Sequence, residues 1–138
     1  MEGGLDVMGK RILVVDEYWC SRVATRLALA LKGHRCLDAA SPFEALNAVD
    51  NFAPEVVLLE WAFRDGSGIG LAQRLRQRAA SNGRGLIVIA TSTQPDTLDV
   101  RRAEDLDAYL VKPASIFEIE DALSSILDDA TKPYDTRR

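Results

Sequence analysis

Five side chains that can carry charge or bind an anion follow short aliphatic runs in the sequence: Asp16, Glu17, Glu60, Thr91 and Lys112. Each run has the length and composition of a buried parallel strand. Because the carboxyl ends of parallel strands meet at one edge of a sheet, we expect these side chains to converge. Three crowded carboxylates repel each other, so they need a cation or the lysine to stay ionised. Oxygen ligands of this kind suit Mg²⁺.

The aliphatic runs predict the strands that position this edge. They are apolar without alternation, as expected of parallel strands covered on both faces. Four runs are clear and a fifth is weaker: Ile12–Val15, Val56–Leu59, Leu86–Ala90, Tyr109–Val111 and, as the weaker one, Cys36–Leu37.

The segments between the runs predict helices. Ser41 with Glu44, and Ser115 with Glu118, have the spacing of a capping box at a helix start. The other signals are Val23, Leu27 and Leu31 with a stop at Gly33, Leu71 and Leu75 with a stop near Asn82-Gly83, the stripe Ile116, Ile119, Leu123, Ile126 and Leu127, and a weak stripe from Pro95 towards Leu106.

The order of these segments is strand then helix, repeated five times. Right-handed crossovers then predict an α/β fold, a (βα)5 doubly wound parallel sheet with the flavodoxin-like strand order 2-1-3-4-5. We expect the first and fifth helices on one face and the second, third and fourth on the other.

Length and composition predict a single globular domain. The chain has 138 residues, 47% of them apolar and 28% charged, with a net charge of −4, which excludes extensive disorder and disfavours nucleic acid as a partner. The longest apolar run, Leu86–Ala90, is far shorter than the ~20 residues of a membrane span. Two cysteines are too few for a secreted disulfide framework, so we expect a cytoplasmic protein. The domain is predicted over residues 10–128, with flexible tails at 1–9 and 129–138.

Four stretches of the chain together resemble a known family: Arg11–Glu17, Val57–Gly68, Leu86–Thr91 and Asp107–Pro113. They are similar to the response-regulator receiver domains of the CheY-like family, over roughly Lys10 to Asp128. The resemblance implies a module of two-component (phosphorelay) signalling, in which a sensor histidine kinase phosphorylates an aspartate at the end of the third strand. It also implies a cis peptide bond before Pro113.

The resemblance assigns a role to each residue of the predicted edge. It implies a phosphoacceptor position, a Mg²⁺ site that includes one backbone carbonyl, two side chains that grip the phosphoryl oxygens, and an aromatic switch residue. In this sequence these positions are Glu60 for the acceptor, Asp16, Glu17, Glu60 and the carbonyl of Ala62 for the metal, Thr91 and Lys112 for the phosphoryl group, and Tyr109 for the switch.

The departures from the family pattern shape the functional prediction. Glu60 stands where the family carries its acceptor aspartate, which moves the carboxylate outward by about 1.5 Å, and a misplacement near 1 Å can cost about a hundredfold in rate. We therefore interpret Glu60 as a permanent negative charge, not a nucleophile, and assign no catalytic residue and no enzyme activity. Glu17 also replaces an aspartate, so Mg²⁺ binding should be weak or absent. Arg64 replaces a common proline.

Two other functions stay open at this stage. The chain could be a conventional Mg²⁺-dependent receiver that accepts a phosphoryl group from a histidine kinase, on Glu60 or on the displaced Asp65. A Mg²⁺-dependent hydrolase on a similar sheet would also need an aspartate nucleophile at a strand end, and we identify no lid or substrate pocket for it in so short a chain. The expected partners are a sensor histidine kinase or a downstream regulatory protein, without nucleic acid or membrane, and a homodimer is left open.

Several other polar residues are interpreted as structural. His34 follows the helix stop at Gly33 and is expected to be solvated. The arginines of the third helix region are expected to form a solvated face: Arg74, Arg76, Arg78 and Arg84.

Overall fold

A computed structural model describes residues 9–60, 68–92 and 106–128, and the side chains within these ranges except those of residues 68 and 69. Its five strands form one parallel sheet in the order β2-β1-β3-β4-β5, which confirms the predicted topology. The strands are β1 (Arg11–Val15), β2 (Arg35–Ala39), β3 (Val56–Glu60), β4 (Ile87–Ser92) and β5 (Ala108–Val111).

The described residues contain four helices: α1 (Trp19–Leu31), α2 (Pro42–Asn51), α3 (Gly68–Ser81) and α4 (Ile116–Asp128). Helices α1 and α4 share one buried cluster with the sheet, and α2 and α3 share the cluster on the opposite face. This confirms the predicted distribution of these helices. The helix predicted from Pro95 towards Leu106 lies outside the described residues, apart from Leu106 itself.

Local signals set the helix ends as predicted. At the start of α4, the Ser115 hydroxyl accepts a hydrogen bond from the backbone N–H of Glu118 at 3.1 Å, and Glu118 Oε1 accepts one from the N–H of Ser115 at 2.8 Å. At the start of α2, Ser41 Oγ accepts from the N–H of Glu44 at 3.2 Å, whereas Glu44 Oε1 accepts from the N–H of Ala40 at 2.8 Å, so only the Ser41 half of the predicted capping box forms. Beyond α1, Gly33 adopts φ +98°, a left-handed conformation that favours glycine at a helix end.

The buried face of α1 differs from the predicted one. Leu29 is fully buried, whereas Leu27 is 51% and Leu31 is 88% exposed. At 100° per residue, Leu29 points about 160° away from Leu27 and Leu31, so only one side of the helix can face the sheet. The stripe of Val23, Leu27 and Leu31 is therefore not the core face, and the prediction was wrong.

His34 is buried, not solvated as expected. Its side chain has no exposed surface, its Nδ1 accepts a hydrogen bond from the backbone N–H of Lys10 at 3.1 Å, and its Nε2 lies 3.1 Å from Glu120 Oε2. Because Nδ1 is an acceptor, Nε2 carries the proton and donates to the Glu120 carboxylate. The imidazole thus joins the start of β1 to α4.

The expectation of a solvated arginine face is wrong for one of its members. Arg76 is half-buried and donates to the carbonyl of Leu86 and to Asp107 Oδ2, each at 2.5 Å. Asp107 Oδ2 also accepts from the N–H of Val88 at 2.8 Å. Arg76 therefore ties α3 to the ends of β4 and β5 that lie opposite the acidic edge.

Candidate functional site

The sheet register brings the predicted site residues to one edge. The Cα of Glu60 on β3 pairs with that of Thr91 on β4, and Val15 on β1 pairs with Leu59 on β3. Asp16, one residue beyond Val15, therefore lies beside Glu60 at the carboxyl end of the sheet. Parallel pairing of neighbouring strands in the sheet brings these sequence positions together into one site.

The centre of the site is the ammonium group of Lys112. Its Nζ lies 2.5 Å from Glu60 Oε1 and 3.1 Å from Asp16 Oδ2, and it donates to Ser21 Oγ at 3.0 Å. The side chains of Asp16 and Glu60 are each 5% exposed, and that of Lys112 is 21% exposed. Two nearly buried carboxylates thus share a single cation, which leaves one net negative charge among these three groups.

The carboxylates keep the lysine charged. Partial burial favours a lower pKa for the Lys112 ammonium, but its hydrogen bonds and charge interactions with Glu60 and Asp16 outweigh burial, so its pKa is raised above 10.5. Lys112 is therefore a stable cation throughout the physiological pH range.

Asp16 also anchors the loop between β1 and α1. Its Oδ1 accepts a hydrogen bond from the backbone N–H of Tyr18 at 2.9 Å, and its carbonyl accepts one from Arg22 at 3.0 Å. Both carboxylate oxygens of Asp16 thus have partners, one on the loop and one on Lys112. The side chain holds the first turn of α1 against the site.

The arrangement does not fit a Mg²⁺ ion. Mg²⁺ requires near-octahedral oxygen ligands at 2.0–2.1 Å, whereas the carboxylate oxygens of Asp16 and Glu60 that face each other already hold an ammonium group between them. In the described part of the chain, no three histidine, cysteine or acidic side chains are grouped to hold a metal. Glu17 is half-buried, and Ala62 lies outside the described residues.

Thr91 and Tyr109 occupy separate environments. Thr91 is 9% exposed and lines a cavity of about 360 Å³ together with Asp16 and Lys112. Tyr109 is 7% exposed and packs against Ala90 and Leu106. Thr91 therefore borders the ion cluster, and Tyr109 is buried on β5, three residues before Lys112.

Ser21 is a contact of the site that the sequence reasoning missed. It lies on α1, five residues after Asp16, and its hydroxyl accepts from Lys112 Nζ. The available signal was its place in the first turn of the helix that follows the acidic pair. Without the direction of the helix axis, that signal cannot tell an inward serine from an outward one.

The comparisons with known proteins agree with the fold. The family model for the response regulator receiver domain matches residues 12–124. The chain therefore belongs to the receiver-domain family of two-component signalling, whose members are signalling modules.

Within the described residues, no helix is both long enough and apolar enough to cross a bilayer.

The individual relatives of the chain include bacterial regulators. It is 29% identical over 121 residues to the phosphate regulon transcriptional regulatory protein PhoB of Pseudomonas aeruginosa, a match that covers 88% of this chain and 53% of that protein. The chain thus spans about half the length of this relative. A CheY-like receiver domain from Methylobacillus flagellatus has 25% identity and a TM-score of 0.72, and the match covers 86% of this chain and 98% of that one.

A further solved structure is similar to this chain in fold. The regulator TrrA of Thermotoga maritima, solved with Mg²⁺ and BeF, has 22% identity and a TM-score of 0.71, over 85% of this chain and 98% of that one.

The Lys112–Pro113 peptide bond of the present chain is cis, as the family resemblance predicted.

Proposed function

We propose that this receiver signals through protein contacts, with Glu60 as a permanent negative charge in place of a phosphorylated aspartate. The contact of 2.5 Å between Glu60 Oε1 and Lys112 Nζ carries the proposal. A lysine at this edge suits an anion beyond β3, and here a carboxylate of the chain itself meets it. The anion is then present without a kinase.

The position of Glu60 also argues against acceptor chemistry. Its side chain is 5% exposed and paired with a cation, so the carboxylate is both shielded from a phosphodonor and less nucleophilic than a free one. In-line phosphoryl transfer depends on accurate placement, and the extra methylene displaces the oxygen atoms. The alternative of a conventional phosphoacceptor receiver requires this buried pair to open.

Mg²⁺ binding is proposed to be weak or absent for the same reason. A metal ion between Asp16 and Glu60 would have to displace the Lys112 ammonium or enlarge the space between the carboxylates. The longer side chains of Glu17 and Glu60 reduce that space further. Lys112 thus supplies the positive charge that the acidic edge requires.

The broader setting of the domain is proposed from its charge and its cysteines. The net charge of −4 disfavours direct contact with nucleic acid, so we infer a regulatory protein or a sensor histidine kinase as the partner. Both cysteines are free thiols, which suits a cytoplasmic site of action. We place the functional unit at residues 10–128 and assign it no enzyme activity.

The proposal predicts that the protein does not take up a phosphoryl group. Incubation with acetyl phosphate and Mg²⁺, followed by intact mass spectrometry, should leave the mass of the parent chain unchanged. As the control, the double substitution Glu17→Asp with Glu60→Asp should gain one phosphoryl group when Mg²⁺ is present. In this control, both carboxylates are carried by the shorter aspartate side chain in the same fold.

The opposite result would support the conventional receiver. If the parent chain gains a phosphoryl group, and Glu60→Gln abolishes the gain, Glu60 is an acceptor and the proposed role is wrong. A gain that survives Glu60→Gln but not Asp65→Asn would move the acceptor to Asp65 and also contradict the proposal.

A further inference from the structure

We propose that the cavity between α1, α4 and the sheet binds an uncharged small molecule that has an apolar ring and one hydrogen-bonding head group. The cavity has a volume of about 360 Å³ and reaches the acidic edge at Lys112. This inference uses the contacts of Lys112 but not the signalling role of Glu60, so it can be tested separately from the proposed function.

The floor of the cavity is apolar. Val14 on β1, Leu58 on β3 and Ile119 on α4 line it, and each is at most 3% exposed. Ala24 on α1 and Pro113 before α4 also line the cavity and are exposed, so the cavity opens to solvent on their side. A buried apolar floor with an open mouth is typical of small-molecule sites, whose volumes are about 300–1,000 Å³.

A buried hydroxyl group lines this cavity without a partner. Thr91 is 9% exposed, and its side chain makes no hydrogen bond with the described part of the chain. Buried polar groups are nearly always hydrogen-bonded, and an acceptor or donor on a ligand would complete this one. Thr25 on α1 offers a second hydroxyl, since it lines the same cavity and also has no hydrogen bond among the described residues.

The charges at the cavity already have partners. The Lys112 ammonium has three protons, and three acceptors lie within 3.1 Å of its Nζ, on Glu60, Asp16 and Ser21. Both carboxylate oxygens of Asp16 are bonded as well, to Lys112 and to the N–H of Tyr18. A charged ligand would therefore lose its hydration without gaining a counter-ion, which is costly. The cavity thus selects an uncharged head group.

The volume of the cavity sets the size of the ligand. An apolar cavity of about 150 Å³ binds benzene, whereas the present one measures about 360 Å³. It therefore accommodates a phenyl ring with a short polar side chain, as in 2-phenylethanol, with the ring against Val14, Leu58 and Ile119 and the hydroxyl at Thr91. A compound of this size should bind with a dissociation constant on the order of 1 mM.

NMR titration of the isotope-labelled full chain tests the site with three probes that share the phenyl ring: 2-phenylethanol, phenylacetate and 2-phenylethylamine. We expect 2-phenylethanol to shift the amide signals of Ser21, Ala24 and Thr91 in a saturable manner. At neutral pH, phenylacetate is an anion and 2-phenylethylamine is a cation, so each should bind more weakly than 2-phenylethanol by about tenfold or more.

Variants check the position of the site. Ala24→Leu places a larger side chain at the exposed mouth and should abolish the saturable shifts. Ala80→Leu is the matched control, because it is the same substitution at an exposed position of α3 and should leave binding unchanged. Thr91→Val keeps the branched shape but removes the hydroxyl, so 2-phenylethanol should bind about 3- to 10-fold more weakly.

Three results would overturn the inference. They are the absence of saturable shifts with 2-phenylethanol well above the expected dissociation constant, equal binding in the parent and in Ala24→Leu, and tighter binding of phenylacetate than of 2-phenylethanol. The last result would identify an anion site at Lys112 instead. Unchanged affinity in Thr91→Val would contradict the position of the head group. The acetyl phosphate experiment on Glu60 is independent of all these outcomes.

Discussion

At the scale of single residues, Lys112 decides the character of the site. Its ammonium is the cation shared by Asp16 and Glu60, two carboxylates that are each 5% exposed. Removing one partner from a buried ion cluster leaves an uncompensated charge, which is far more costly than losing an exposed pair. The sequence predicted that these residues converge, but it could not show that the lysine lies between the acids, because side-chain direction depends on the loop before Pro113.

Replacing Lys112 by methionine should lower the free energy of unfolding by about 3–5 kcal/mol at pH 7, because Asp16 and Glu60 then face each other without a cation. Urea unfolding followed by circular dichroism measures the change. Lys32→Met is the control. The Lys32 side chain is 46% exposed and 3.9 Å from Glu120, so its loss should cost less than about 1 kcal/mol.

The same variant should reveal the raised pKa of Lys112. A group whose folded pKa lies above its unfolded value of 10.5 stabilises the fold fully below that pH, and this stabilisation is lost as the pH rises through the folded pKa. The stability difference between the parent and Lys112→Met should therefore shrink above pH 10.5. A difference that stays constant to about pH 12 would contradict the proposed ion cluster.

At the scale of elements, the helix ends were predictable and the helix faces were less so. The capping box of α4 and the Ser41 cap of α2 depend on residues three apart, so their geometry follows from local sequence. The buried side of α1 depends on which of Leu27 and Leu29 meets the sheet, and periodicity allows both. Strand β2 was only a weak prediction because it is an edge strand with an exposed Arg35 and a 41% exposed Leu37.

The capping box of α4 gives a prediction at this scale. Ser115→Ala should lower the free energy of unfolding by about 1 kcal/mol, because the Glu118 N–H loses its acceptor at the helix start. Thermal unfolding measures this against Ser124→Ala, whose hydroxyl makes a single long contact of 3.5 Å with Asp128 and should matter little. Equal effects of the two substitutions would contradict the assigned cap.

At the scale of the whole molecule, the sequence predicted the topology and the edge that carries the site. Both follow from the alternation of strands and helices and from the residues at the strand ends. It did not predict the contacts between distant segments. His34 meets Glu120 across 86 residues, and Arg76 meets Asp107 across 31 residues. No local pattern encodes these pairs, because they exist only after the helices have packed on the sheet.

The negative charge of Glu60 at one edge of the sheet is expected to bias the conformation of the rest of the domain. A hydrogen bond to a charged group contributes about 1.5–3 kcal/mol, whereas shifting an equilibrium from 1:99 to 99:1 takes about 5.5 kcal/mol. A carboxylate also carries one charge where a phosphoryl group carries nearly two. Glu60 should therefore bias Tyr109, the switch residue that the family resemblance implies, towards its buried position without excluding an exposed one.

Fluorine NMR of Tyr109 tests this claim most directly. The chain has three tyrosines, so 3-fluorotyrosine gives few signals, and Tyr109→Phe assigns the relevant one. We expect two populations of Tyr109 in the parent, mostly buried, and a shift towards the exposed one by about 10- to 100-fold in both Glu60→Ala and Glu60→Gln. A Tyr109 signal that is the same in the parent and in both variants would contradict it.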